Sequence, residues 1–279
     1  MALAGIQRDI LTLISRSRIS GGESYVADGT ALNLLLEQPR LSRDIDLFHD
    51  SREALARTWP ADRSLLEQAG FSVGVVRELP GLVEATIRKG TADTLIQWAV
   101  DSSFRFFPLV REEQLGLALH PFDLATNKVL ALVGRLEVRD WIDVMGCTSR
   151  LQELGYLAWA ACGKDAGLNP DLILSEASRS ARYTQEEVDA LDFEQGPPDA
   201  AALSKSWKVM LGEAAAIAAV LPAEKVGTCV LGASGSLFRG DAGVLKHALE
   251  ESEIRFHRGS IRGAFPAFPG SDSPPVSMP

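Results

Sequence analysis

Apolar positions recur at helical spacing in IQRDILTLISRS, where Ile6, Ile10, Leu13 and Ile14 share one side, predicting an opening helix ended by Gly21-Gly22. SYVAD then reads as a short strand, and Thr30 caps or opens a helix through ALNLLLEQ that closes before Pro39. Strict alternation returns in DIDLF, a second strand. SREALARTW and DRSLLEQAG read as helices, with Gly70 at the C-terminal stop. Three strand-like runs follow, FSVGVVREL, GLVEATIRKG and TADTLIQWAVD, separated by Pro80-Gly81 and Gly90-Thr91. Such turns predict an antiparallel meander. From Pro121 the pattern becomes almost wholly helical, through PFDLATNKVLALVGR, VRDWIDVMGC, RLQELGYLAWAACGK, PDLILSEASRSA and SKSWKVMLGEAAAIAAVL. The expected class is α+β: a mixed-sheet domain over residues 1–148, a helical domain over 149–258, and a Pro/Gly/Ser-rich disordered tail over 259–279.

DIDLF carries the first chemistry. Residues two apart on a strand share a face at a spacing of roughly 6.5–7 Å, so Asp44 and Asp46 sit side by side while Ile45 and Leu47 face the core. Two such carboxylates can converge on one or two hard divalent cations, the arrangement that serves phosphoryl transfer. Upstream, Gly29 and Thr30 lie between a strand and a helix N-terminus. Unpaired N–H groups and the helix dipole favour an anion there, and a glycine lets a phosphate approach the backbone. Taken singly, Gly-Thr is an ordinary cap and Asp-x-Asp an ordinary strand edge; their conjunction, one hairpin length apart, points to a metal and phosphate site.

These residues resemble a known family. DGTALNLLLEQPRLSRDIDLF is similar to the G-[ST]-A-L … R-x-S-x-D-[IL]-D-[LF] signature of the AbiEii/AbiGii-type nucleotidyltransferases, the MenT-like toxins of type IV toxin–antitoxin systems. LATNKVLALVGRLEVRDWIDVM is similar to the family's N-K-x-x-A-L … R-x-x-x-R-D-x-x-D block. The resemblance spans residues 22–147. It implies a DNA polymerase β-like fold, a nucleoside triphosphate (NTP) substrate and Mg²⁺ or Mn²⁺. Asp44 and Asp46 would bind the metal, Gly29, Thr30 and Arg43 the phosphates. The acceptor would be a tRNA 3′ end, a protein hydroxyl or a small molecule, and the partner a winged-helix antitoxin.

On pattern alone, Lys128 emerges among Leu124, Ala125, Ala131 and Leu132, and either snorkels or enters a pocket. The resemblance places it on the triphosphate, with Asp143 as a base or an orienter of that lysine and Asp140 as structural. One departure stands out. Polymerase β-like transferases carry a third carboxylate on a later strand, where TLIQWAVD has Gln97. The expected substitute is Asp101, with Glu84 as the other choice.

Composition narrows the classes. A net charge of −9 argues against an indiscriminate nucleic-acid binder, although Arg88, Lys89, Arg105 and Arg111 could line a local RNA groove. Three widely spaced cysteines without a CxxC pair suit free thiols in a reducing cytoplasm. The four scattered histidines make no zinc pattern. MALAGIQRDI reaches charge too early for a signal peptide, and the most apolar run stops at Pro222, well short of a membrane span. The expected activity is transfer of NMP from an NTP, with an antibiotic-modifying type of transferase or a non-catalytic nucleotide- or partner-binding module as alternatives.

Overall fold

The computed structural model describes residues 3–266. Along the chain run α1 (Gly5–Gly21), β1 (Ser24–Ala27), α2 (Asp28–Leu35), β2 (Ile45–His49), α3 (Arg52–Gln68), β3 (Ser72–Leu79), β4 (Leu82–Lys89) and β5 (Ala92–Val100). Three short strands follow, β6 (Phe104–Arg105), β7 (Val110–Glu112) and β8 (Gly116–Ala118). Then come α4 (Pro121–Arg135), α5 (Val138–Arg150), α6 (Leu154–Ala161), α7 (Pro170–Ser178), α8 (Gln185–Asp189) and α9 (Ala200–Val220). The last elements are β9 (Thr228–Leu231), α10 (Ala242–Glu250), β10 (Arg255–Arg258) and β11 (Ser260–Ile261). The chain is α+β. Among the described residues, no helix is long and apolar enough to cross a membrane.

Two compact units interleave in sequence. The first takes residues 1–103, 109–124 and 191–197; the second takes 104–108, 125–190 and 198 onward. The division therefore passes within α4, upstream of the break expected near residue 148.

The first unit is built on a mixed seven-stranded sheet of order β3-β4-β5-β2-β1-β8-β7. β3, β4 and β5 form the antiparallel meander expected from their turns, while β5 runs parallel to β2. One face is apolar: Ile45 and Leu47 of β2, Val83, Ala85 and Ile87 of β4, and Ile96 and Trp98 of β5 are all buried. α1 and α3 pack on the sheet and cover such residues. Gly116, at φ 77°, lets β8 approach α1 closely, since a Cβ there would lie 2.7 Å from the Ser15 carbonyl. α3 is continuous through Pro60, where the sequence suggested two helices. Its buried residues Leu55, Trp59, Asp62 and Leu66 stay in phase across the proline, so packing overrides one lost backbone hydrogen bond. Asp62 is held by Arg18 of α1 at 2.5 Å and by the Trp98 indole of β5 at 2.8 Å, all three buried.

The 191–197 segment is a strap returning to this unit. Leu41 N–H donates to the Asp192 carbonyl at 2.8 Å and Glu194 N–H to the Pro39 carbonyl at 2.9 Å, with an antiparallel bridge between Arg40 and Phe193.

The second unit is mainly helical around α6, whose eight residues are all buried and which packs against α9. It is not helical throughout. β9 and β10 pair antiparallel, and Val230 joins Tyr156, Trp159, Ile217 and Leu245 in one apolar cluster. β11 pairs with β6, so the expected tail from residue 259 begins with an ordered strand; residues 267–279 of that expectation lie outside the described residues. The three cysteines are free and buried.

Candidate functional site

The open face of the first unit's sheet carries the Asp-x-Asp pair. Ile45, Leu47 and His49 are buried, whereas Asp44, Asp46 and Phe48 are half-buried, so the alternation read from DIDLF is realised. The carboxylates are thus not sealed in the core; they line its edge.

The segment leading into β2 is pinned at three successive carbonyls. Gln7 Nε2 of α1 donates to Ser42 O at 3.0 Å, Thr94 Oγ1 of β5 to Arg43 O at 2.8 Å, and Thr30 Oγ1 of α2 to Asp44 O at 2.6 Å. All three donors are buried. The Thr30 hydroxyl is therefore committed to the backbone, leaving its N–H to face an anion. Sequence reading missed Gln7 and Thr94 because a buried polar residue that serves a distant carbonyl has no local signature.

β1 and β2 are antiparallel with Ala27 opposite Asp46, which sets the N-terminus of α2 beside the carboxylates. Ala27, the N-cap, offers no side chain to the first N–H groups. Gly29 also makes room for two neighbouring side chains. A Cβ at Gly29 would lie 2.9 Å from both Arg40 Nη2 and Ser42 Oγ, so the missing side chain admits that guanidinium and hydroxyl. Arg40 is buried, its Nη1 donates to the Leu41 carbonyl at 3.2 Å, and its charge helps to hold Asp192 below the ordinary carboxylate value. Arg43, the residue expected at the phosphates, lies outside this buried cluster. Arg43 instead forms a bidentate ion pair with Asp192 of the strap and is exposed. That hydrogen-bonded pairing raises the Arg43 guanidinium and holds Asp192 below the ordinary carboxylate value. A cavity of about 930 Å³ opens beside Asp44, lined by Gln7, Ser42, Arg43, Asp93, Asp192 and Phe193 among others.

Strand register places the candidates for a third metal ligand. Asp46 lies opposite Gln97 across the parallel β2–β5 pair, and Gln97 lies opposite Glu84 across β4–β5. Gln97 Nε2 donates to Glu84 Oε1 at 3.0 Å, and Arg77 Nε lies 3.3 Å from the other Glu84 oxygen. Asp101 is exposed and past the end of β5, its N–H on the His49 carbonyl, four residues beyond Gln97. About 13 Å of strand separates the two, so the expectation that Asp101 replaces the missing carboxylate is corrected: Gln97, not Asp101, stands in register with Asp46. Among the described residues no three His, Cys, Asp or Glu side chains gather as a metal site. Two carboxylates and an amide oxygen are nevertheless hard donors. They fit Mg²⁺ or Mn²⁺, since Mg²⁺ is commonly held through one or two carboxylates with water and substrate phosphates.

In the second unit, Lys128 neither snorkels nor reaches solvent. It is buried, with Nζ 3.0 Å from Asp143 Oδ2 and 3.3 Å from Asp140 Oδ1. Arg135 grips Asp140 through two bonds of 2.6 and 2.9 Å, closing a network of two cations and two carboxylates. Asp143 is thus the nearer of the two carboxylates paired with the Lys128 ammonium. Of the suggested RNA contacts, Arg88, Lys89 and Arg111 are exposed, whereas Arg105 is buried and leaves that set.

No protein-family profile matches the chain, and no curated protein matches it significantly. Among solved structures, the chain is similar to JHP933 from Helicobacter pylori, at 15% identity and a TM-score of 0.49 over 76% of this chain and 93% of that one. It is also similar to MenT4, a nucleotidyltransferase toxin from Mycobacterium tuberculosis, at 15% identity and a TM-score of 0.45 over 78% of this chain and 83% of that one.

Proposed function

We propose that the chain is a nucleotidyltransferase of the AbiEii toxin-like, polymerase β-like class, moving NMP from an NTP to an acceptor in the cytoplasm. One observation carries this reading: the β1–β2 register, which sets the α2 N-terminus with Arg40 beside the half-buried Asp44 and Asp46. Anion recognition and hard-cation ligation then meet at a single edge, as a nucleoside triphosphate requires.

Asp44 and Asp46 would hold Mg²⁺ or Mn²⁺, which when bound neutralises charge on the phosphates. The N–H groups of Gly29 and Thr30, with Arg40, receive phosphate oxygens. The bonds from Gln7, Thr30 and Thr94 keep the segment before β2 from shifting as charge develops. An acceptor hydroxyl attacks the α-phosphorus and gives its proton to solvent water; a new P–O bond forms, and the bond from the α-phosphorus to the α–β bridging oxygen breaks to release pyrophosphate. The triphosphate role of Lys128 and the assisting role of Asp143 rest on the family resemblance alone, because the Lys128 ammonium is held by Asp140 and Asp143. The acceptor is a tRNA 3′ end or a protein, and the cellular partner a winged-helix antitoxin.

A small-molecule acceptor is the second reading, favoured by the cavity beside Asp44. Asp44, Asp93 and Asp192 outnumber Arg43 in its lining, which suits a cationic compound better than an RNA backbone. Incubation with Mg²⁺, each labelled NTP, and either total tRNA or an amine-rich small molecule separates the two. Labelled RNA supports the first and a labelled small molecule the second. Asp44→Asn and Asp46→Asn should each abolish transfer while leaving the fold intact, because relief of carboxylate repulsion offsets the lost ligand in the apo protein. Full transfer by Asp46→Asn removes the mechanism.

A further inference from the structure

Gln97 occupies the middle of a cross-strand row on the open face of the sheet: Arg77 on β3, Glu84 on β4, Gln97 on β5 and Asp46 on β2. Its alternating neighbours Ile96 and Trp98 are buried on the other face, so the amide stands on the side of the Asp-x-Asp edge. An amide has one donor end and one acceptor end, and which is which follows from its partners. Here the partner settles it. Glu84, paired to Arg77, offers only acceptor oxygens, so the Gln97 NH₂ must face β4. The Oε1 atom is thereby turned to the β2 side, where Asp46 stands in register.

We infer that Gln97 is a neutral oxygen ligand of the divalent ion and that Glu84 is its positioning residue, clamping the amide so that its oxygen, never its nitrogen, meets the metal. The inference rests on the metal site proposed above. It assigns this chain a centre with two carboxylate charges where three would otherwise stand. A hydrogen-bonded outer partner of this kind commonly changes metal affinity by about 10- to 100-fold.

The test is binding of Mn²⁺ alone to the full-length protein, followed by electron paramagnetic resonance of the free ion, with thermal melting to confirm folding. Gln97→Ala and Glu84→Ala should each weaken Mn²⁺ by about tenfold or more. In the double variant the two losses should not add, because Glu84 acts only through the amide. Gln97→Glu restores an oxygen and should recover Mn²⁺ binding relative to Gln97→Ala, at some expense of apo stability from repulsion by Glu84. Wild-type affinity in Gln97→Ala, with Asp46→Asn abolishing binding, overturns the inference and leaves the metal site standing. Additive losses overturn the role of Glu84. Unchanged binding in Asp46→Asn overturns the metal site itself, and this inference with it.

Discussion

Single buried charges set the sharpest expectations. Lys128 faces two fully buried carboxylates, so Lys128→Ala takes an ammonium from Asp140 and Asp143 together. Breaking a buried pair in this way costs about 3–5 kcal/mol, and urea denaturation should show it. Loss of transfer in Lys128→Ala alone would therefore not separate a phosphate contact from a broken network. Lys128→Ala combined with Asp143→Asn should recover part of the stability; transfer that returns in that folded double variant would show that Lys128 serves the network and not the phosphates. His49 gives a second residue-level expectation. It is fully buried, its Nδ1 3.2 Å from the Ala99 carbonyl, and burial pulls its imidazole from 6.5 to about 4. The folded chain thus keeps it neutral where the unfolded chain takes up a proton. Its contribution to stability is complete above about pH 6.5 and is lost as pH falls toward 4, amounting to about 2 kcal/mol at pH 5. His120, lowered to about 4 by burial, acts in the same sense. The urea midpoint should fall between pH 7 and pH 5, and His49→Gln should flatten that fall.

At the scale of elements, the three side chains that hold Ser42, Arg43 and Asp44 come from α1, β5 and α2. Thr30→Val keeps the shape and removes one bond, so it should cost about 1 kcal/mol of stability. Transfer should fall by more than that stability loss implies, since Asp44 loses its fixed carbonyl; single-turnover rates under saturating NTP measure it. How far these elements were legible depended on their periodicity. β2 and the meander follow period two and were read correctly, as was the α1 stop at Gly22. β9 and β10, four residues each, are too short for any period to register, so the second half looked almost wholly helical. The Asp-x-Asp edge was legible because acidic and apolar residues alternate there. The choice between Arg40 and Arg43 was not. Both precede the aspartates, and only tertiary partners, Gly29 for one and Asp192 for the other, separate the buried guanidinium from the surface pair. Gln97 was visible as an anomaly, yet its neighbour Glu84 lies thirteen positions away and is joined to it only through strand register.

For the whole molecule, a fragment of residues 1–148 tests the division drawn from the sequence. It contains the entire seven-stranded sheet but lacks the strap at 191–197, and with it the partner of Arg43 and the acceptor for Leu41 N–H. In hydrogen exchange, the Leu41 amide should exchange much faster in the fragment than in the full chain, while amides of β4 and β5 remain protected. Equal protection at Leu41 would show that the strap is dispensable. The same feature has a consequence for how the protein is made. A ribosome releases the Asp-x-Asp strand early, yet the residues that flank it in the finished fold arrive only when 197 of 279 positions have been translated. Until then Arg43 has no carboxylate from the strap, and one side of the cavity beside Asp44 has no wall. If the activity is toxic, the order of synthesis itself withholds it from nascent and prematurely terminated chains.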